Sequence, residues 1–325
     1  MRKIADADCM KGQSFLHILG GRNVTVKKKI LITGAGGNVG QYIALSLAEA
    51  GYEVIGIYRT VQPACADYQL IQEDLSKHKL ELTGIDTIVH AAASLTGSAK
   101  KMIGDNLKAT ENLIEFAEER QVKRFLLLST VSVYGNAGEE VSEKSQMVNP
   151  GGYGMSKYLS ECLVRESSVP EKIIIQLPRM LGPFVNLQDT KESGFLTMAK
   201  RILCNEDVVC FAPEVSYNNY LHVKELSYFV KQILSSSEGP ESRTMLIGAK
   251  ERMKMIEILG IMKDEVGSKS RIIAKKSADL PKCSTIDISK AVKAGFSPGK
   301  AEYMLRRFMR EMDAKYKEKQ NLSID

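Results

Sequence analysis

A tyrosine and a lysine one helical turn apart are the residues of this chain best suited to acid–base chemistry. Tyr153 and Lys157 are separated by Gly-Met-Ser, and this spacing places both side chains on one face of a helix. An ammonium beside a phenol favours the phenolate, so we expect the pKa of Tyr153 to be lowered. The pair predicts a tyrosine that takes or gives the proton of a substrate hydroxyl group.

Hydroxyl side chains crowd the end of a predicted strand upstream of this pair. Residues 128–135 read Leu-Ser-Thr-Val-Ser-Val-Tyr-Gly, and a hydroxyl group there can hydrogen-bond a substrate oxygen and orient it against Tyr153. We choose Thr130 as this catalytic hydroxyl and Ser132 as the second candidate, in a substrate-binding role. The alternative is that both hydroxyls only cap the strand end.

A glycine-rich turn near the start of the chain has the spacing of a dinucleotide-binding loop. Gly34, Gly37 and Gly40 stand three residues apart, between a predicted strand and a predicted helix. They permit the tight turn, the approach of a pyrophosphate and close helix–strand packing, and the helix N-terminus offers N–H groups to phosphates. The alternative is a simple tight loop. A nicotinamide held here would exchange the hydride that accompanies proton transfer at Tyr153, and its oxidised form would help Lys157 to favour the phenolate.

The residue after the second predicted strand selects the form of the cofactor. An acidic residue there would bind the adenosine ribose, but this chain has Arg59, which can pair with a 2′-phosphate. We therefore expect NADP(H) as the preferred cofactor and NAD(H) as the second choice; the alternative for Arg59 is a solvated loop residue. His90, at the end of the fourth strand, is interpreted as buried rather than catalytic. The predicted dinucleotide-binding residues are Gly34, Ala35, Gly37, Asn38, Val39, Gly40, Arg59, Asp74, Leu75, Ala91, Ala92, Ala93, Tyr153, Lys157 and Pro178.

Apolar strands alternate with amphipathic helices over the first half of the chain. Continuous apolar runs at 29–33 and 53–58 predict strands buried on both faces, and helical spacing over 106–120 and 153–165 predicts helices between strands. This alternation is typical of a parallel sheet covered on both sides. We predict an α/β fold, a Rossmann doubly wound parallel sheet with a smaller C-terminal substrate-binding lobe.

The chain divides into three parts on this interpretation. Residues 1–28 have poor periodicity, and we expect a flexible N-terminal extension or a translated leader. Residues 29–180 are expected to form the dinucleotide-binding Rossmann domain. The alternation breaks down after about residue 180, so residues 181–325 are expected to form mainly the substrate-binding lobe, with segments that return to the sheet.

Composition restricts the class of protein. The chain has 325 residues, of which 44% are hydrophobic and 26% charged, and a net charge of +6, as is ordinary for a globular protein. The basic residues form no dense stripe and no apolar run could cross a bilayer, so we expect neither a nucleic-acid nor a membrane partner. Six cysteines without a Cys-x-x-Cys pair and four histidines without metal-ligand spacing predict free thiols, a cytoplasmic protein and no metal.

Taken in order, these segments resemble the extended short-chain dehydrogenases/reductases, the NAD-dependent epimerase/dehydratase family. The resemblance covers roughly residues 29–312 and implies a Rossmann domain with a C-terminal substrate lobe. It implies that Thr130, Tyr153 and Lys157 are catalytic, that Asn106 supports them, and that the protein is a homodimer paired through helices near the catalytic one. The segments that carry it are the glycine turn at 33–40, His90-Ala91-Ala92-Ala93, Asn106, Ser129-Thr130, Val133-Tyr134-Gly135, and Tyr153 with Lys157.

Departures from the family pattern bear on the substrate. Sugar 4,6-dehydratases typically follow the catalytic threonine with Asp-Glu, where this chain has Val131-Ser132, so that dehydration is not expected. Asn218-Asn219 stands where nucleotide-sugar enzymes often carry an Arg-Asp that binds a diphosphate, which counts against a nucleotide-diphosphate sugar. Arg179 is a charge in an otherwise apolar segment. We interpret Arg179 either as a binder of an anionic substrate group or as part of a structural ion pair.

Three functions fit these residues. The first is an NAD(P)-dependent oxidoreductase that transfers a hydride at a sugar-like hydroxyl or ketone, with a sugar or sugar nucleotide as its small-molecule substrate. The second is a nucleotide-sugar epimerase that retains its NAD and returns the hydride to the other face of the sugar. The third is a non-catalytic NAD(P)-sensing protein, and the intact Tyr153 and Lys157 count against it.

Overall fold

Strands and helices alternate regularly in the first half of the chain and become shorter in the second half. The computed structural model describes residues 28–63, 66–182, 194–236, 243–276 and 283–321. Apart from Lys28, the predicted extension over 1–28 lies outside the described residues. The strands are β1 (Lys29–Thr33), β2 (Glu53–Tyr58), β3 (Gln69–Gln72), β4 (Thr87–His90), β5 (Arg124–Thr130), β6 (Glu140–Val141), β7 (Glu171–Leu177), β8 (Arg179–Leu181), β9 (Val208–Phe211), β10 (Ser216–Tyr217), β11 (Tyr220–His222), β12 (Arg243–Leu246), β13 (Met253–Lys254), β14 (Ile272–Lys275) and β15 (Thr285–Ile286). The helices are α1 (Asn38–Glu49), α2 (Ala99–Glu119), α3 (Gly151–Glu166), α4 (Gly194–Leu203), α5 (Val223–Ser235), α6 (Met255–Glu265), α7 (Ser289–Lys293) and α8 (Ala301–Asn321).

Seven parallel strands form the central sheet. Their order across the sheet is β12-β7-β5-β4-β1-β2-β3, and every adjacent pair is parallel. The chain order reverses between β1 and β4. Doubly wound sheets bind ligands beyond the carboxyl ends of their strands at such a reversal. The predicted α/β Rossmann fold is confirmed.

Apolar side chains on both faces of the sheet hold it between layers of helices. Ile30 and Ile32 of β1 belong to one buried cluster, whereas Leu31 belongs to the other, because successive side chains of a strand point to opposite faces. All seven residues of β5 are buried. The strand that carries the candidate catalytic hydroxyl is therefore fixed by packing on both sides.

The remaining strands form two-stranded pairs outside the main sheet. Parallel pairs join β6 to β15, β8 to β11 and β9 to β14, and an antiparallel pair joins β10 to β13. β12 also comes from the second half of the chain, but it belongs to the main sheet and pairs with β7 at its edge. The division into domains near residue 180 stays a prediction.

The described residues show no feature of a membrane span, a metal centre or a disulfide. No helix there is both long enough and apolar enough to cross a membrane. The same residues contain no cluster of potential metal ligands. Cys162, Cys204, Cys210 and Cys283 are free thiols. The cytoplasmic location stays a prediction.

Candidate active site

The predicted catalytic pair lies on the first two turns of α3. Tyr153 is the third residue of this helix, and Lys157 follows one turn later. Gly154 fixes the position of the first turn, because a β-carbon there would lie 2.2 Å from the Ser132 carbonyl oxygen. Glycine thus permits α3 to pack directly on the 3₁₀ turn Val131–Tyr134, which follows β5. The close approach brings the start of α3 to the hydroxyl-bearing end of β5.

Burial dominates the ionisation of both side chains. Lys157 is only 2% exposed, and burial lowers its pKa to about 8, while the charge of Glu161 opposes part of this change. Burial raises the pKa of the Tyr153 phenol to about 12. Without a nicotinamide, desolvation of the phenolate therefore raises the Tyr153 pKa, and the lowering expected from Lys157 together with an oxidised nicotinamide stays a prediction. Formation of the phenolate depends on further positive charge, such as an oxidised nicotinamide carries.

Thr130 closes the carboxyl end of β5 and borders a cleft. Its hydroxyl oxygen accepts a hydrogen bond from the Ser132 backbone N–H at 3.1 Å and donates one to the Ser132 hydroxyl at 3.2 Å. The bond from the Ser132 N–H caps the 3₁₀ turn, as the alternative interpretation requires. Both residues also line the cleft, so capping does not withdraw them from a substrate.

The cleft beside Thr130 contains a cavity of about 390 Å³. This volume lies within the range of small-molecule sites. Its lining includes Thr130, Ser132, Asn149, Pro178, Arg179 and Asn219. Pro150 and Gly151 at the start of α3 also line it, whereas Tyr153, two residues further on, is not among the described lining residues.

Arg179 carries the only charge among the described residues that line this cavity. It begins β8 and has no carboxylate partner within the described part of the chain. Burial lowers the pKa of its guanidinium, against the effects of the Tyr217 phenol and the Cys283 thiol. The side chain nevertheless remains accessible to solvent in the cleft, so it keeps its charge at neutral pH. The structural ion pair considered for Arg179 is absent from the described residues.

Asn218 and Asn219 have different environments. The Asn218 amide donates to the carbonyl oxygens of Ala249 at 3.2 Å and Ile286 at 2.9 Å, and its oxygen accepts from the Ile286 N–H at 2.7 Å. Asn218 is therefore occupied in holding the backbone. Asn219 donates to the Cys283 carbonyl at 2.5 Å, but its side-chain oxygen is buried without a hydrogen-bond partner in the described structure. The sequence marks Asn219 only as a departure from the family's diphosphate-binding position, and the fold shows that it borders the cavity.

Asn106 joins the loop after β4 to the catalytic helix. Its amide nitrogen donates to the Ser94 carbonyl at 3.1 Å and the Ser156 hydroxyl at 2.9 Å, and its oxygen accepts from the Ser94 N–H at 2.6 Å. The Ser156 hydroxyl in turn donates to the Tyr153 carbonyl at 2.7 Å. Asn106 is therefore linked through Ser156 to the backbone of Tyr153, which fits a supporting position. Sequence reasoning missed Ser156, although it directly precedes Lys157.

His90 is a buried structural residue. Its two ring nitrogens lie 2.7 Å from the Thr33 hydroxyl and 3.2 Å from the Thr110 hydroxyl. Burial, with a smaller effect of the Lys157 charge, lowers the pKa of His90 well below its ordinary value. A neutral ring with both nitrogens engaged fits the prediction that His90 is not catalytic.

The glycine turn passes close to the end of β4. A β-carbon at Gly34 would lie 2.7 Å from the Ala92 backbone nitrogen, and one at Gly40 would lie 2.2 Å from the Gly34 carbonyl oxygen. Gly34 also has a φ of 72°, which glycine adopts without strain. Gly37 is exposed and precedes α1, whose N-terminus has no side-chain cap and no acidic residue. These residues fit a dinucleotide, because the helix N-terminus can receive a pyrophosphate.

The other predicted cofactor residues differ in their availability. Arg59 follows β2, with 48% of its side chain exposed, and lies 3.9 Å from Asp105, a weak surface pair. The carboxylate of Asp74 accepts from the Ser76 hydroxyl at 2.7 Å, and Leu75 is buried in the core. The adenine contact expected at Asp74 and Leu75 stays a prediction. The residues Asn38, Val39, Ala91 and Ala92 are half-buried, Ala93 is exposed, and Ala35 and Pro178 are buried.

Comparison with protein families identifies the class to which this site belongs. The model of the NAD dependent epimerase/dehydratase family matches residues 30–248, more than half of the chain. The chain belongs to this family. As an epimerase/dehydratase-family protein it is an NAD-dependent enzyme, so the predicted family and the prediction of an enzyme are both confirmed.

Relatives of this chain include proteins named as enzymes of nucleotide-linked sugars. A Bacillus subtilis protein described as an uncharacterised UDP-glucose epimerase, YtcB, is 26% identical over 292 residues, 81% of this chain and 90% of the relative. A dTDP-4-dehydro-6-deoxy-D-allose reductase of a Streptomyces species is 22% identical over 275 residues, 75% of this chain and 83% of the relative. The structure of UDP-glucuronic acid 4-epimerase from Bacillus cereus with NAD superimposes with a TM-score of 0.74 at 22% identity, covering 89% of this chain and 98% of that one.

Proposed function

We propose that this enzyme moves a hydride between a nicotinamide and a hydroxyl or keto carbon of a nucleotide-linked sugar, with Tyr153 as the acid–base residue. The observation that carries the proposal is the packing of Gly154 on Ser132, since it joins the Tyr153–Lys157 helix to the Thr130 end of β5. The relatives named for UDP- and dTDP-sugars support the sugar nucleotide, and we give them more weight than the departure at Asn218-Asn219, which counts against it.

The proposed roles follow from the chemistry of each side chain. In the direction of oxidation, the Tyr153 phenolate takes the proton of the substrate hydroxyl while a hydride leaves the carbon that bears this hydroxyl. Thr130 donates a hydrogen bond to the reacting oxygen, and Lys157 stabilises the phenolate. Asn106 holds α3 in register through Ser156. The dinucleotide, when bound, supplies the ring carbon that accepts or returns the hydride.

A reductase and an epimerase differ in what happens to the cofactor. The reductase exchanges its dinucleotide in each turnover, whereas the epimerase retains it and returns the hydride to the opposite face. The test is to release and identify any dinucleotide in the purified protein, and then to supply UDP-glucose or a keto sugar nucleotide with NADPH. Net oxidation of NADPH supports the reductase, and formation of a sugar epimer without net cofactor change supports the epimerase. Dinucleotide binding without conversion of either substrate would support the sensing protein instead.

Arg59 supports a finer proposal, a preference for NADP(H) over NAD(H). It lies beyond the end of β2, it is about half exposed, and its ion pair with Asp105 is long. A 2′-phosphate offers a stronger, doubly charged partner at that position.

The homodimer and the absence of a nucleic-acid partner also stay predictions, and sedimentation of the purified protein tests the dimer.

We also assign Arg179 to an anionic group of the substrate. The support is the charge of Arg179, the only one among the described residues that line the cavity bordered by Thr130, together with the structural use of Asn218. Arg179→Ala is expected to raise KM for UDP-glucose at least about tenfold, because a charge-assisted hydrogen bond is lost, with a smaller effect on kcat. Arg252→Ala is the control, since Arg252 pairs with Glu140 at the surface. An unchanged KM in Arg179→Ala would remove the assignment.

A further inference from the structure

A buried carboxylate lies one helical turn beyond Lys157 and has no place in the mechanism so far. Glu161 is 1% exposed, and its carboxylate joins three segments of the fold. It accepts hydrogen bonds from the Ser129 hydroxyl on β5 and from the Gln176 amide on β7, the latter at 3.0 Å. Arg165 pairs with it from the next turn of α3 at 2.5 Å. Donors on rigid elements therefore fix this carboxylate in place.

Glu161 affects the catalytic group through two neighbours, Ser129 and Lys157. Ser129 directly precedes Thr130 in β5, so the bond between Ser129 and Glu161 restrains the backbone that carries the catalytic hydroxyl. Lys157 stands four residues before Glu161 on the same face of α3. The negative charge of Glu161 opposes the loss of the Lys157 proton that burial favours.

We propose that Glu161 is a positioning residue, whose buried carboxylate keeps Lys157 charged and holds the Thr130 end of β5 in place. Glu161 acts through Lys157 and Ser129 rather than on the reacting atoms. Its effect on turnover rests on the proposed function, but its effect on the charge of Lys157 does not, because that charge can be measured without a substrate.

Few other ionisable groups face Lys157 in the described structure. His90 on β4 is neutral, since burial lowers its pKa well below the ordinary value. Tyr153, one turn earlier on α3, is a neutral phenol at neutral pH, because burial raises its pKa to about 12. Glu161 is therefore the negative charge that acts on the Lys157 ammonium.

Several groups surround Glu161 and set the size of its effect. Tyr134, Glu143 and Arg165 line a second cavity of about 200 Å³ beside it. Burial raises the pKa of Tyr134, so this phenol is neutral. The Arg165 side chain is 41% exposed and cancels part of the Glu161 charge. With this compensation, we expect Glu161 to move the ionisation of Lys157 by about one pH unit rather than several.

The test follows the ionisation of Lys157 in the full-length chain by NMR of labelled lysine, with Lys157→Met to assign the signal. Glu161→Gln is expected to lower the pH midpoint of Lys157 by about one unit. Arg165→Met is expected to raise the midpoint, because Glu161 loses the charge that compensates it. Glu171→Gln is the matched control, since Glu171 is a buried carboxylate paired with Arg124 at the opposite end of β5 and β7, and it should leave the midpoint unchanged.

Turnover separates this proposal from the proposed function. If the enzyme converts UDP-glucose, the high-pH limb of kcat should move to lower pH with the Lys157 midpoint in Glu161→Gln, and Glu161→Asp should restore it. An unchanged midpoint in either Glu161→Gln or Arg165→Met would overturn the positioning role, and Arg165→Met decides alone if Glu161→Gln does not fold. The expected midpoints without conversion of any sugar nucleotide would support the positioning role and count against the proposed function.

Discussion

Replacement of Lys157 by methionine is expected to stabilise the protein while it removes activity. Burial lowers the Lys157 pKa from the ordinary 10.5 to about 8, so the folded protein holds the ammonium at a cost in free energy. One pKa unit corresponds to about 1.4 kcal/mol, which makes this cost about 3 kcal/mol at pH 7. Methionine fills similar space without a charge. The free energy of unfolding of Lys157→Met should therefore exceed that of the wild type by up to about 3 kcal/mol.

The pH dependence of this difference has a definite sign. Below a pH of about 8 the Lys157 amine is protonated in both the folded and the unfolded chain, so the full cost applies. Between about 8 and 10.5 the unfolded chain binds more protons than the folded chain, and the stability of the wild type rises with pH. The advantage of Lys157→Met should thus be largest at pH 7 and shrink toward pH 10.

Urea unfolding followed by far-UV circular dichroism measures the difference, because the chain has no tryptophan for fluorescence. Lys108→Met is the control. Lys108 lies on the exposed side of α2 and pairs with Glu111, so this variant should stay within about 0.5 kcal/mol of the wild type. A Lys157→Met protein that is less stable at pH 7, or more stable by one constant amount at every pH, would refute the reasoning.

Two further substitutions test the cofactor and the support of the catalytic helix. Arg59→Ala should weaken NADPH binding about tenfold and NADH binding less than about twofold, because only NADPH carries the 2′-phosphate. Fluorescence titration measures both affinities, and Asp105→Asn is the control variant. Equal losses of NADPH and NADH affinity would contradict the contact between Arg59 and the 2′-phosphate. Asn106→Ala should cost about 1–3 kcal/mol of stability, because buried partners at Ser94 and Ser156 lose their hydrogen bonds, and should lower kcat more than dinucleotide affinity. Unfolding and steady-state assays check this, and an unaltered kcat speaks against the supporting role.

The elements that carry the site were predictable because their signals are local. The strands over 29–33 and 53–58 have the predicted bounds, since strands buried on both faces are continuous apolar runs. The glycine spacing at Gly34, Gly37 and Gly40 is likewise readable, because each position has a steric requirement of its own.

Other elements were missed because distant partners or weak patterns decide them. Met253–Lys254, directly before α6, pairs as a strand with Ser216–Tyr217, although the local sequence pattern there is compatible with the helix. The helix predicted from Asn106 begins at Ala99, in a polar stretch whose cap is Ser98. Tertiary pairing overrides local periodicity in the first case, and an overlooked cap explains the second.

The electrostatics of the site depended on burial, which the sequence does not display. The spacing of Tyr153 and Lys157 predicted their partnership, but the desolvation that raises the pKa of Tyr153 requires knowledge of the packing around it. Glu161 was also overlooked. Its spacing from Lys157 is visible in the sequence, yet a carboxylate at that position is normally solvated.

Single-turnover conversion of a sugar nucleotide by Tyr153→Phe, with the dinucleotide bound, tests the central assignment most directly. Removal of the phenolic hydroxyl leaves the glycine turn and the hydride-transfer partners in place, while it removes the group that carries the proton. The rate should fall by about a thousandfold or more, and dinucleotide affinity should stay within about twofold of the wild type. A Tyr153→Phe enzyme that converts the sugar nucleotide at the wild-type rate would contradict the account.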